Sequence, residues 1–375
     1  MAKLSFSSIK MFSECGQKYD YHYNHKIRSK WFHTALAFGS AVDEALNDLL
    51  LNKDLEKAIG IFDKKWAFQY VNGKYTDLAL SPSIVSSDSD FDADLLTDED
   101  KIKLTDYFKK DWDIVFGELV DKKKQLGWKQ FTDKERSDYN YVVWHSLRRK
   151  GLIMLASYEK KILPRIMKVI AVQHSATLEN DEGDIVQQYL DLVVQWEDGS
   201  ILLLDNKTSA RDYEEDSAGR SPQLISYYHK AKEQFGVEAV GFIVMHKNIQ
   251  KNKTKLCHKC GFDGTESRSK TCPQEFPGLV IKRGKEVEGM IRCDGEWKVT
   301  INPECYMQVV INRVTEAAED LVLSTFDDAS EGIKKGHYYK NLSQCKQGSI
   351  ICPYYAKCWT GSDEDLVLID SEKRN

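Results

Sequence analysis

The stretch "YLDLVVQWEDGSILLLDNKTS", residues 189–209, sets two apolar runs on either side of a turn signal containing Asp-Gly. Runs of that length around such a turn read as a β-hairpin. The second run ends in Asp205, Asn206 and Lys207. Side chains alternate along a strand, so Asp205 and Lys207 share a face while Asn206 points the other way. Taken alone, that pair is most simply a solvated ion pair where a strand leaves the core. The turn gives it a further meaning. With a loop of Glu197 to Gly199, Asp191 falls opposite Asp205 and on the same face; a loop one residue shorter would slip the register and separate them. Two carboxylates in a cleft repel unless a cation lies between them, and hard oxygen ligands with open positions suit magnesium or manganese. A lysine beside that cation can position or deprotonate a water and stabilise charge forming on a phosphate. The set suits metal-assisted hydrolysis of a phosphodiester. An ordinary hairpin with exposed charges is the competing reading.

Outward from the hairpin, strands are expected over 168–179, 186–196 and 200–207, a helix over 221–235, and a further strand in "AVGFIVMH". Upstream, "LAFGSAVDEALNDLLLN" repeats Ala41, Ala45, Leu46 and Leu49 at helical spacing and sets Asp43 and Asn47 on one face. Residues 81–100, rich in Ser and Asp, read as a surface loop in an insertion, and 101–163 as mostly helical. From Lys251 to about Trp297 the composition turns to Lys, Gly and Cys, which marks a small inserted module. A long amphipathic helix is expected over 303–324.

The chain has 375 residues, 42% of them hydrophobic, and a formal net charge of -5. No global positive field advertises a nucleic-acid partner, so any such surface must be local. No apolar run approaches the roughly 20 residues that span a bilayer, and "MAKLSFSSIKMFSECG" lacks the apolar core of a secretory signal. The expectation is a soluble, cytoplasmic protein with no membrane partner. Its nine cysteines are then poor candidates for structural disulfides. Their clustering suggests metal instead.

In order along the chain, "SFSSIKMFSECGQKYDYHY", "FGSAVDEAL", "YLDLVV", "LLLDNKTS" and "QLISYY" resemble the RecB-like branch of the PD-(D/E)XK nuclease superfamily. The resemblance implies one active site built from a strand acid, an acid-x-lysine pair, and a helix bearing Gln and Tyr four residues apart. Here these are Asp191, then Asp205 and Lys207, then Gln223 and Tyr227. It implies Mg2+ or Mn2+ held by Asp191 and Asp205. One position departs: where the family usually has a metal-binding histidine, this chain has Asp43. A carboxylate can still ligate a hard cation, and a plain surface aspartate is the alternative.

The terminal cysteines resemble those of AddB-type members, in which one N-terminal and three C-terminal cysteines hold a four-iron, four-sulfur (4Fe-4S) cluster. Cys15, Cys345, Cys352 and Cys358 match, although Cys345 and Cys352 stand further apart than is common there. Such a cluster would tie the two ends of the domain together. Zinc at the same four residues, or unligated thiols, stay open. In the middle of the chain, "CHKCG" is a zinc knuckle: Cys257 and Cys260 lie on a tight turn, and Cys272 and Cys293 would complete a Zn2+ site. Cys305 could replace one of these and is expected to be free, with His258 facing solvent. Lys251, Lys253, Lys255, Lys259, Arg268 and Lys270 could contact phosphate or simply be solvated. Tyr19, Tyr21 and Tyr23 could stack on bases or pack near the terminal cysteines.

The reading is therefore an α/β restriction-endonuclease-like fold, a mixed sheet flanked by helices. The RecB-like nuclease domain would occupy 1–250 and 298–375, with a helical insertion over about 52–163 and a zinc-ribbon-like insertion over 251–297. The implied activity is metal-dependent deoxyribonuclease action, exonucleolytic, on single-stranded or end-containing DNA in recombination, repair or phage DNA metabolism. The alternative is a catalytically inactive DNA-binding or assembly subunit on the same fold.

Overall fold

The computed structural model describes residues 4–71, 74–77, 83–179, 183–282, 284–347 and 350–369. The chain divides into two compact units, Met1–Lys247 with Met307–Asn375, and Asn248–Tyr306. The first is built on a six-stranded mixed sheet. Its strands are β1 (Leu4–Ser5), β2 (Ile166–Glu179), β3 (Ile185–Trp196), β4 (Ile201–Ser209), β5 (Ala239–His246) and β6 (Met307–Asn312). The order is β1-β3-β4-β5-β6, with β2 also paired to β3.

The hairpin has the longer loop. Trp196 N donates to Ser200 O at 2.9 Å, Glu197 to Gly199 form the turn, and Gly199 takes the positive φ of 89° that the turn requires. Pairing then runs from Gln195↔Ile201 to Leu192↔Leu204, which leaves Asp191 one step beyond the last pair, in register with Asp205. There the two strands part. β3 takes β4 as its neighbour over 192–195 and β1, in parallel, over 186–187. β4 continues alongside β5, parallel, as far as Ser209↔His246. A fork thus opens between β3 and β4 where the acids stand.

A parallel pair needs a crossover, and α4 (Pro222–Phe235) supplies it; Ser221 caps its N-terminus and Pro222 occupies the first turn. This helix, α1 (Phe6–Glu14) and α5 (Glu316–Lys334) share one core with the sheet, in which Ile9, Leu224 and Phe326 meet Val193, Leu203 and Val244. The alternate strand residues Leu202 and Leu204 are equally buried. α2 (Thr34–Asn52) touches β2 and β4 and packs on α3 (Asp133–Lys161) through a buried stripe that includes Val42, Leu46 and Leu49. The helices Leu55–Ala67, Asp98–Phe108 and Trp112–Leu126 lead to α3, which starts at a capping box of Thr132 and Glu135.

Two expectations are corrected. The stretch 303–324 is not one helix: "MQVVIN" forms β6 against β5, and the helix starts only at Glu316, after the Thr315 cap, and runs to Lys334. β-branched residues that can pair with a buried strand outweigh the helical spacing. Residues 81–82 lie outside the described residues, but from 83 onward the Ser/Asp-rich stretch is only partly at the surface. Ile84, Ser86 and Asp90 are buried. Ser86 donates to Asn140 at 2.7 Å and Asp90 accepts from Thr34 Oγ1 at 3.2 Å, so the polar groups are satisfied internally.

The second unit is built on two antiparallel strand pairs, Gln250–Cys257 with Trp297–Glu304 and, between them in sequence, the hairpin Glu275–Lys282 with Lys285–Arg292. No helix among the described residues is long and apolar enough to cross a membrane.

Candidate active site and cysteine clusters

The fork between β3 and β4 opens into a cleft of about 520 Å³. Asp43 from α2, Asp191 from β3, Asp205 and Lys207 from β4 and Gln223 from α4 all line it. Lys207 Nζ lies 2.5 Å from Asp205 Oδ2. Tyr227, one helical turn beyond Gln223, is buried behind them and meets Phe6 edge-on at 6.1 Å. Glu44, the neighbour of Asp43, turns away to pair with Lys65 at 2.8 Å.

The charges in the cleft do not balance. Burial, and then the neighbouring Asp205, push Asp191 up to about 7. Burial and Asp205 also raise Asp43 above the usual carboxylate range, and burial raises Asp205. Burial opposes the charge on Lys207, but Asp205 and Asp191 outweigh it and hold the ammonium above the ordinary lysine value. Burial, with Asp191 nearby, lifts the Tyr227 phenol to about 12. Three carboxylates, Asp205 buried and Asp43 and Asp191 half-buried, stand against Lys207 and Lys247, each of which already lies beside an acid; the surplus negative charge fits a hard divalent cation.

Two further residues, one bonded to a cleft acid and one lining the cleft, belong to no sequence motif. Gln173 on β2 donates to Asp191 Oδ1 at 3.4 Å from a backbone φ of 46°. A non-glycine residue in the left-handed region is uncommon and tends to mark functional sites. Lys247, just past β5, lines the cleft with a mostly buried side chain over the Phe38 ring, 3.8 Å from Asp90. Strand patterning gives no sign of either: one depends on a local backbone irregularity, the other on where the insertion folds back.

The four terminal cysteines also come together. Cys15, Cys345, Cys352 and Cys358 line a single small pocket. Burial raises the thiols of Cys352 and Cys358, and each is raised further by Cys15. The surrounding chain binds the ends of the domain to one another. Gln17 N donates to Tyr339 O at 3.0 Å, and Tyr339 Oη donates to Ser13 O at 2.7 Å. A Cβ on Gly16 would lie 2.7 Å from Tyr339 N, so only glycine permits this approach. Tyr19 is buried and stacks on Tyr338 at 6.1 Å, Tyr23 lies 4.9 Å from Tyr19, and Tyr21 lies 5.5 Å from Tyr354. The tyrosines pack beside the cysteines.

In the second unit, Cys257, Cys260, Cys272 and Cys293 present their sulfurs within 4.8 Å of one another, a group that could hold a metal ion. The Sγ atoms of Cys257 and Cys293, and of Cys260 and Cys272, are 3.6 Å apart. Tetrahedral bonds of about 2.3 Å to zinc would set thiolates roughly 3.8 Å apart. Cys305 is buried outside this group, in the turn between two strands and not at a helix start. His258 is exposed. Among the basic residues, Lys259 pairs with Asp294 at 2.5 Å and Lys255 donates to Ser267 O at 3.1 Å.

Compared with known proteins, residues 3–358 match the family model of the PD-(D/E)XK nuclease superfamily. No curated protein matches the chain.

Proposed function

The chain belongs to the PD-(D/E)XK nuclease superfamily, and from that premise we propose that it is a divalent-metal-dependent deoxyribonuclease of the RecB-like, AddB-type branch. Its substrate would be single-stranded or end-containing DNA, cut exonucleolytically in recombination, repair or phage DNA metabolism. The observation that carries the reading is the convergence of Asp43, Asp191, Asp205, Lys207 and Gln223, drawn from four different elements, on one cleft.

Asp191 and Asp205, with Asp43 assisting, would hold Mg2+ or Mn2+. When bound, the ion would activate a water and neutralise charge on the scissile phosphate. Lys207, kept as an ammonium by its two acids, would donate to the water or to a phosphate oxygen, and this state favours charge stabilisation over proton abstraction. Gln223 and Tyr227, one turn apart on α4, would orient Lys207 and the substrate. Gln173 would hold Asp191 in place through its amide. Replacing the family histidine by Asp43 adds negative charge to the site and should tighten its hold on a hard cation.

The pocket at Cys15, Cys345, Cys352 and Cys358 supports a 4Fe-4S cluster acting as a staple: the four residues share a pocket, yet they are not gathered tightly around a single point as the other four are. The tighter group supports Zn2+ as the staple of the 248–306 unit, in a zinc-ribbon-like insertion. The test of the catalytic reading is cleavage of linear DNA by wild type and Lys207→Ala with magnesium or manganese. Lys207→Ala should lose about 10²–10³-fold in rate.

A further inference from the structure

A second cavity of about 450 Å³ lies beside the carboxylate cleft, and the exposed side chain of Leu36 lines both. From Leu36 the groove runs over Phe32 and Trp31 towards Tyr354, which also lines the terminal cysteine pocket. Its ionisable lining is one-sided. Lys18, Arg28 and Lys30 contribute, together with His22, and no carboxylate lines it among the described residues, although the chain as a whole is acidic. Glu14 pairs with Lys18 at 2.8 Å and so offsets that cation, while Asp365 accepts from Trp31 Nε1 at 2.8 Å and pairs with Lys129. Phe32 is 36% and Leu36 64% exposed, although both are large and apolar. Trp31 is half-buried under the Arg136 guanidinium, 5.0 Å from its ring, so the exposed ring is that of Phe32; a cation beside an exposed ring is what a sequence-tolerant single-strand site requires, because phosphates meet the cations and every base has a face to stack. A stiff duplex offers no unstacked base to Phe32.

We propose that this groove is the track for single-stranded DNA, holding the strand beyond the scissile phosphate and leading it past Leu36 into the carboxylate cleft. Lys30 contacts phosphate and Phe32 stacks on a base, while Arg28, which donates to the carbonyls of His22 and Ile27, and Trp31 form the wall behind them. The proposal rests on the nuclease reading for its direction but not for its binding surface. The two can therefore fail separately.

The test uses the full-length protein and the double variant Lys30→Glu/Phe32→Ala, both positions being exposed. Binding of a labelled oligothymidylate and of a blunt duplex is measured in calcium across a range of salt concentrations. Hydrolysis of a small chromogenic phosphodiester is measured separately in manganese. The expected result is about tenfold weaker binding of the oligothymidylate and a shallower salt dependence, by roughly one unit of slope. Duplex binding and hydrolysis of the small diester should be unchanged. Unchanged oligothymidylate affinity would overturn the proposal, as would an equal loss of duplex binding. If wild type hydrolyses nothing, the nuclease reading fails while the calcium measurements still decide the groove.

Discussion

At the scale of single residues, the account turns on a charge imbalance. A carboxylate ligates metal as the anion, and Asp191 is pushed up to about 7 by burial and by Asp205. Metal affinity should therefore rise with pH through about 7, with proton release on binding, which calorimetry in buffers of different ionisation enthalpy would detect. The sign for stability without metal is the opposite. The folded protein keeps a proton on Asp191 that the unfolded chain gives up near 4, so stability falls as pH rises from about 4 to about 7. Asp191→Asn should accordingly raise the Tm of metal-free protein at pH 7.5 while abolishing metal-dependent cleavage. A lower Tm would mean that the acid is structurally satisfied without a cation. The acids themselves were legible in the sequence, because alternation and one turn length place them. Gln173 and Lys247 were not: no periodicity reports a residue at φ of 46° or a lysine that reaches the cleft from beyond a strand's end.

At the scale of elements, the β3–β4 hairpin fixes the site through its register, and α4 completes it by bringing Gln223 to the same cleft. The stretch 200–207 was readable as a strand because a short apolar run after an Asp-Gly turn pairs most simply with the run before it, while the acid and lysine at its end gained meaning only from the residues that converge on them. The stretch 303–324 misled because its apolar residues suit helical spacing, while pairing with β5 is a long-range fact that a local pattern does not contain. The same holds at Gly16. Its substitution by alanine would favour an isolated helix, but the Cβ would collide with the backbone of Tyr338 and Tyr339. Gly16→Ala should lower thermal stability by about 1–3 kcal/mol and reduce iron content. Retention of both would show that the C-terminal segment does not dock there.

At the scale of the whole molecule, the proposed metal sites would add cross-links to the core. In the first unit, residues more than three hundred positions apart meet at the terminal cysteines. Anaerobically purified protein should carry about four irons per chain and, at the middle cysteines, about one zinc. Cys352→Ala should lose the iron and not the zinc, and Cys260→Ser the reverse, by elemental analysis. Loss of both metals from either variant would contradict two independent sites. The middle cysteine group was suggested by the spacing of its knuckle and the terminal one only by the family resemblance, whereas the burial of Ile84, Ser86 and Asp90 was not legible, since a Ser- and Asp-rich segment is polar whether water or its own side chains satisfy it. The central claim is that Asp205 and Lys207 form one corner of a phosphodiesterase site. The most direct measurement is digestion of end-labelled single- and double-stranded linear DNA with magnesium or manganese by anaerobically purified wild type and Lys207→Ala. The account expects degradation by the wild type and a loss of about 10²–10³-fold in the variant. Equal cleavage by both proteins, or none by either while both bind DNA, would contradict it.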